Sequence, residues 1–170
     1  PEIEQEWCKE DGISVHLTID REQPEWTGHV GFVPNYVKEL GFDTSKTVVM
    51  CGPPIMIKFT LAGLMELGFD GAVFANEADY PYVEHIGEGA LAAYTRIVTE
   101  VSRELTIPFG VGIMNDPYSA ISVAKAVGAT FCRGFFLGSQ VGNYGEIRKT
   151  PGDIWRYAKS IGAADVAVYS

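Results

Sequence analysis

The feature that most constrains this chain is the stretch Gly68 to Tyr82, GFDGAVFANEADYPY. A short apolar run, Gly71 to Phe74, leads into an acid-rich segment that contains a proline. A buried parallel strand followed by a loop reads this way. Asn76, Glu77 and Asp79 then fall just past the strand's carboxyl end, where α/β proteins place ligand groups. The rest of the chain repeats the pattern. Ile13–Ile19, Thr47–Met50, Ile107–Met114, Thr130–Phe136 and Val166–Tyr169 read as further strands. Helical signals separate them at Val33–Leu40, from Pro54 towards Gly68, at Leu91–Leu105, at Tyr118–Val127 and from Thr150 to Ser160. About six strands alternating with helices predict an α/β fold with a mostly parallel sheet and flanking helices. The pattern alone leaves open a flavodoxin-like, doubly wound sheet or an incomplete (β/α) barrel. Leu61, Leu64, Phe74, Ile97, Val101, Val111, Ile121 and Phe131 are the expected core.

At 170 residues the sequence reads as a single composite domain, 1–170. A formal net charge of −9, without a Lys/Arg cluster, argues against nucleic acid and against anionic membrane surfaces. No apolar run approaches the roughly 20 residues of a membrane span. The acidic start PEIEQEW does not read as a signal peptide, and a chain beginning at Pro1 reads as processed, excised or engineered. Three scattered cysteines, Cys8, Cys51 and Cys132, argue against a disulfide framework and for a reducing, cytoplasmic setting. His16, His29 and His85 lack ligand-like spacing, so no metal site is expected.

The residues themselves offer three candidate places for chemistry. Asn76, Glu77, Asp79, Asn115, Asp116 and Arg133 lie at or near the carboxyl ends of expected strands, where parallel strands would gather them on one rim. Glu77, Asp79 and Arg133 are the catalytic candidates, because two carboxylates near a guanidinium suit acid–base work. The bland reading of Asn115 and Asp116 is a helix cap. Gly138-Ser139 with Gly142, Asn143 and Gly145 could cradle a phosphate on backbone N–H groups, or form a plain Gly-rich loop. Cys51-Gly52-Pro53 precedes a helix, so its thiol is either activated by the helix N-terminus or simply a small buried residue at a strand end.

Two resemblances divide the chain. VHLTIDR at 15–21, EWTGHVGFVPNYV at 25–37 and VMCGPPIMIKFTLAGLMELGF at 49–69 resemble the NAD(P)-binding lobe of ferredoxin–NADP reductase-like flavoproteins, near the hydrogenase/sulfide reductase gamma subunits. That resemblance implies a nicotinamide near Cys51, with Gly52 and Pro53, and a ribose contact at Asp20. The family's glycine-rich pyrophosphate turn and its flavin domain have no counterpart here. No cofactor is therefore expected to bind, neither NAD(P) nor FAD. DGAVFANEADYPY at 70–82, TRIVTEVSRELTIPFGVGIMNDP at 95–117 and AKAVGATFCRGFFLGSQVGNYGEI at 124–147 resemble the BtpA family of TIM-barrel proteins. Ala75 and Gly112 stand where that family would be expected to carry polar residues. Two partial folds joined near residues 68–71 imply a chimera-like scaffold, of engineered or de novo character, with no intact activity. The alternatives are a weak nucleotide- or phosphate-binding module, a BtpA-like enzyme acting on a small phosphorylated molecule, or an NAD(P)-linked oxidoreductase fragment. An incomplete barrel would leave sheet edges to pair, which favours a homodimer.

Overall fold

A computed structural model describes residues 6–41, 43, 45–76, 83–142 and 144–170. The chain divides into two compact units, Pro1–Leu67 and Gly68–Ser170. The expected catalytic candidates Glu77 and Asp79, and Asn143 of the expected phosphate loop, lie outside the described residues.

The N-terminal unit is built on two helices. Helix α1, Val33–Leu40, has Pro34 in its first turn, and α2, Pro54–Glu66, starts with Pro54 after the N-cap Pro53. Proline suits the first helical turn, because its missing N–H would be unpaired there anyway. Lys38 of α1 reaches Glu66 of α2 at 2.6 Å. Its stem lies across Gly63, where a Cβ would come within 2.9 Å of the Lys38 Cε. The strands expected here are mostly not formed. Among the described residues only β1, Thr18–Ile19, pairs in parallel with β2, His29–Val30, and residues 47–50 are not strand. An apolar run becomes a strand only when a neighbour accepts its backbone hydrogen bonds, and Thr47–Met50 has no paired strand among the described residues. His29 holds this corner together. Its ring stacks on Tyr36 at 3.8 Å, shares a 2.8 Å bond with Thr18 Oγ1 and meets Glu39 at 3.1 Å.

The C-terminal unit is a regular βα array. Four parallel strands, β3 (Ala72–Asn76), β4 (Phe109–Ile113), β5 (Phe131–Arg133) and a C-terminal strand at Ala167–Tyr169, stand in chain order in one sheet. Between β5 and that last strand the chain makes an antiparallel hairpin, β6 (Ser139–Gly142) and β7 (Gly145–Arg148), so the last strand is β8. The region expected as a plain Gly-rich loop is thus a hairpin. Gly138 and Gly145 take the positive φ values, 74° and 90°, that its ends require. Helices α3 (Glu88–Ser102), α4 (Pro117–Val127) and α5 (Pro151–Ser160) connect the strands. Sequential order with parallel strands is the winding of a (β/α) barrel; a doubly wound sheet reverses its strand order at a switch point.

The parallel register sorts the side chains onto two faces. Phe74, Val111, Cys132 and Val168 line up on the face packed by Val98, Ile121, Ala124, Ile154 and Ala158 of the helices. Tyr94 of α3 locks that packing by donating to the Phe74 carbonyl at 2.7 Å. The opposite face carries Val73, Ala75, Gly110, Gly112, Phe131, Arg133 and Tyr169, and its outer members are exposed. Here the expected core needs correcting. Leu61, Leu64, Val101, Val111 and Ile121 are buried, but Ile97 is exposed, because its neighbour Val98 takes the inward position on α3. Phe74 is half-buried against the core. Phe131 is half-buried on the uncovered face, where its ring lies over Gly110.

Candidate functional site

The carboxyl ends of β3, β4 and β5 form the rim on which the candidates were expected to meet. Asn76 ends β3, half-buried and in register with Ile113. Arg133 ends β5, exposed on the uncovered face beside Gly112. Ala75 and Gly112 are register partners, so the middle of that face is small rather than polar. Asn115 and Asp116 follow β4 and are both buried. Asp116 caps α4: its Oδ1 accepts from Ser119 N at 3.1 Å, and its Oδ2 from Ser119 Oγ at 2.8 Å. Oδ2 also accepts from Ile86 N at 3.2 Å, which ties the segment before α3 to the start of α4. The cap was legible in the sequence; the second tether was not.

Three residues not expected in this role complete the cluster. Lys149, between β7 and α5, is buried, and its ammonium donates to the Asn115 carbonyl at 2.5 Å. Glu84 approaches the same ammonium at 3.7 Å. Burial pulls the Lys149 pKa below the usual lysine range, opposed by the charges of Glu84 and Asp116. His85 Nδ1 lies 3.6 Å from Asp116 Oδ2, and the imidazole is about two-thirds exposed. Asn115 Nδ2 donates to the Val83 carbonyl at 3.3 Å. The cluster therefore offers a buried cation beside two carboxylates and an accessible imidazole oriented by one of them. Such a set can bind an anion and move a proton. A Lys after a Gly-rich hairpin carries no sequence signal of its own, and Glu84 and His85 sit in a stretch that only the fold brings to β4.

The remaining expected residues stand elsewhere. Gly138 and Ser139 open the hairpin, and the backbone groups of Ser139–Gly142 pair with Gly145–Arg148. The Gly138 carbonyl accepts from Lys149 N at 2.9 Å. In the N-terminal unit Asp20 is exposed beside Arg21, at 3.9 Å. Cys51 is exposed and not buried as the bland reading had it, because no strand forms to enclose it; Gly52 and Pro53 lead from it into α2. Among the described residues, no group of three or more His, Cys, Asp or Glu could hold a metal ion, and no helix is long and apolar enough to cross a membrane.

The profile of the BtpA family matches residues 59–170. The chain belongs to the BtpA family. The sgc region protein SgcQ of Escherichia coli (strain K12) is 33% identical over 106 residues, 62% of this chain and 40% of that protein. The Photosystem I biogenesis protein BtpA of Synechocystis sp. is 29% identical over 104 residues, 59% of this chain and 36% of that protein. The nitrate reductase [NADH] of Ulva prolifera is 32% identical over 71 residues, 39% of this chain but 8% of that enzyme. No solved structure matches. The chain spans less than half the length of the BtpA-family relatives it matches. The family match begins at Phe59, inside α2, so it takes in part of the helix that the reductase resemblance claimed. The comparisons do not support the expected inert chimera, nor a ferredoxin reductase-like family for residues 1–69.

Proposed function

We propose that the C-terminal unit carries part of the strand-end site of a BtpA-family α/β barrel and that this site acts on a small phosphorylated molecule. The observation that carries the reading is Lys149. A buried ammonium with a lowered pKa, set among Asn115, Glu84 and Asp116 at the carboxyl end of a parallel sheet, is a costly arrangement for structure alone. In this reading Lys149 supplies the positive charge that holds a phosphate. His85 is the proton-transfer group, and Asp116 positions its ring through Nδ1. Arg133 is a second anion contact at the end of β5. The activity of the full-length relatives extends to this chain only as part of the same proposal.

The test is calorimetric titration with inorganic phosphate and with ribose 5-phosphate, followed by a screen for hydrolysis of phosphorylated sugars. Saturable binding that Lys149→Met abolishes, and turnover that His85→Gln removes with binding kept, support the reading. Absence of binding to either probe at millimolar concentration overturns it. NAD(P) is a separate matter. Among the described residues of the N-terminal unit no glycine-rich turn joins a strand to a helix, so a fluorescence titration with NADPH is expected to show no saturable binding at micromolar concentration.

A further inference from the structure

A cleft of about 500 Å³ opens within the N-terminal unit, and no residue of the strand-end site lines it. Its walls are Val33 and Val37 of α1, the segment Thr47–Cys51, and Met56 and Thr60 of α2. Asp43 and Lys46, both exposed, stand at its border. The volume falls within the roughly 300–1,000 Å³ of small-molecule sites. Its lining is apolar, with two methionines, which adapt their shape to a guest. One wall residue does not fit an apolar cleft. Thr60 is only 4% exposed, and its Oγ1 is buried without a hydrogen-bond partner among the described residues. Buried hydroxyls are almost always bonded, and leaving one unpaired is costly. Thr60 is a residue whose hydroxyl a valine would replace with little change in shape, so the unpaired oxygen is a chemical feature of the cleft and not a packing need.

We infer that this cleft binds an uncharged, mainly apolar small molecule that carries one hydrogen-bonding group, and that Thr60 Oγ1 meets that group. The two methionines and Val33, Val37 and Val48 take the apolar body. Asp43 is held as a carboxylate by Ser45, whose hydroxyl and backbone N–H donate at 2.7 and 3.0 Å, and its charge faces the cation of Lys46 at the mouth. That pairing leaves no net charge at the border, which suits a neutral guest. The inference does not depend on the strand-end reading, which concerns the other unit.

The probe is N-phenyl-1-naphthylamine, an uncharged fluorophore with one N–H group, titrated into the intact chain. Saturable enhancement at micromolar concentration is expected. Thr60→Val should weaken it about tenfold, the worth of one hydrogen bond in a desolvated site, while raising thermal stability. Met56→Trp, which fills the cleft, should abolish it, and Val37→Phe serves the same purpose if the tryptophan variant does not fold. Bound probe should also slow alkylation of Cys51, measured on a Cys8→Ser background. No saturable signal in the parent chain, or equal affinity in the parent and Thr60→Val, overturns the inference. So does probe binding that both cleft-filling variants leave unchanged.

Discussion

The two units differ in how they satisfy their own backbone and apolar side chains. In the C-terminal unit every described strand of the main sheet has a parallel neighbour, and fifteen of the described residues, from Ile86 to Val166, form one buried cluster. In the N-terminal unit the described buried residues are Thr60, Leu61, Gly63 and Leu64, all on α2, while Phe32, Val49, Ile55 and Phe59 are more than half exposed. The strand pairing there is two residues long. The sequences of both units carry similar apolar runs. What separates them is whether a run finds a hydrogen-bonding neighbour and a helix to cover it.

The largest expected contrast is chemical. Cys132 is fully buried in the helix-facing side of β5, and desolvation pushes its thiol pKa up to about 12. Cys8 and Cys51 of the N-terminal unit are exposed. A disulfide-exchange reagent at pH 8 should therefore modify two thiols promptly and the third only on unfolding. Three fast thiols would mean that the C-terminal interior opens as readily as the rest.

Next in size is core truncation. Ile121→Ala removes a side chain that is 1% exposed and should cost about 3 kcal/mol by denaturant unfolding. Phe59→Ala, at a residue 56% exposed, should cost under about 1 kcal/mol. Equal losses would erase the distinction between the units. Gly110→Ala sharpens it further, since the added methyl would lie 2.2 Å from a ring carbon of Phe131. Overpacking of this kind costs about 1–3 kcal/mol, and pairing it with Phe131→Leu should recover part of the loss.

This contrast also explains what could be read in advance. Asn115-Asp116-Pro117 predicted the start of α4, and Asp116 caps it as that pattern requires. The strands of the C-terminal unit were legible because each apolar run is bounded by turn residues and separated from the next by one helix. Thr47–Met50 has the same local signal but forms no strand, since pairing is decided by distant chain. The hairpin Ser139–Arg148 was hidden for a different reason. Its glycines read as a loop, and its one buried apolar side chain, Ile147, is too little to show a period. The catalytic expectation was least complete. It named Glu77, Asp79 and Arg133, of which the first two lie outside the described residues, and it did not name Lys149, Glu84 or His85, because a lysine becomes a site residue only through burial, which a sequence does not display.

The smallest expected stability effect is at Lys149, and it is also the most discriminating. Its folded pKa lies below the ordinary value because burial disfavours the charge. Between that folded pKa and the unfolded value near 10.5 the unfolded chain binds more protons, so stability rises with pH across that window. The buried thiol of Cys132 acts in the opposite sense: its stabilisation is full below pH 9 and is lost as pH climbs towards about 12. Subtracting the unfolding curves of Lys149→Met from those of the parent chain cancels the cysteine contribution and leaves the lysine. At pH 7 the substitution should change stability by no more than about 1 kcal/mol. The desolvation cost of the ammonium disappears along with its bond to Asn115, and Asp116 keeps its three donors at Ser119 and Ile86. As pH rises towards 10.5 the parent should gain on the variant. If the variant instead loses about 3–5 kcal/mol at pH 7, Lys149 holds the rim together as a structural ion pair. The cost that marks it as a functional residue would then be absent.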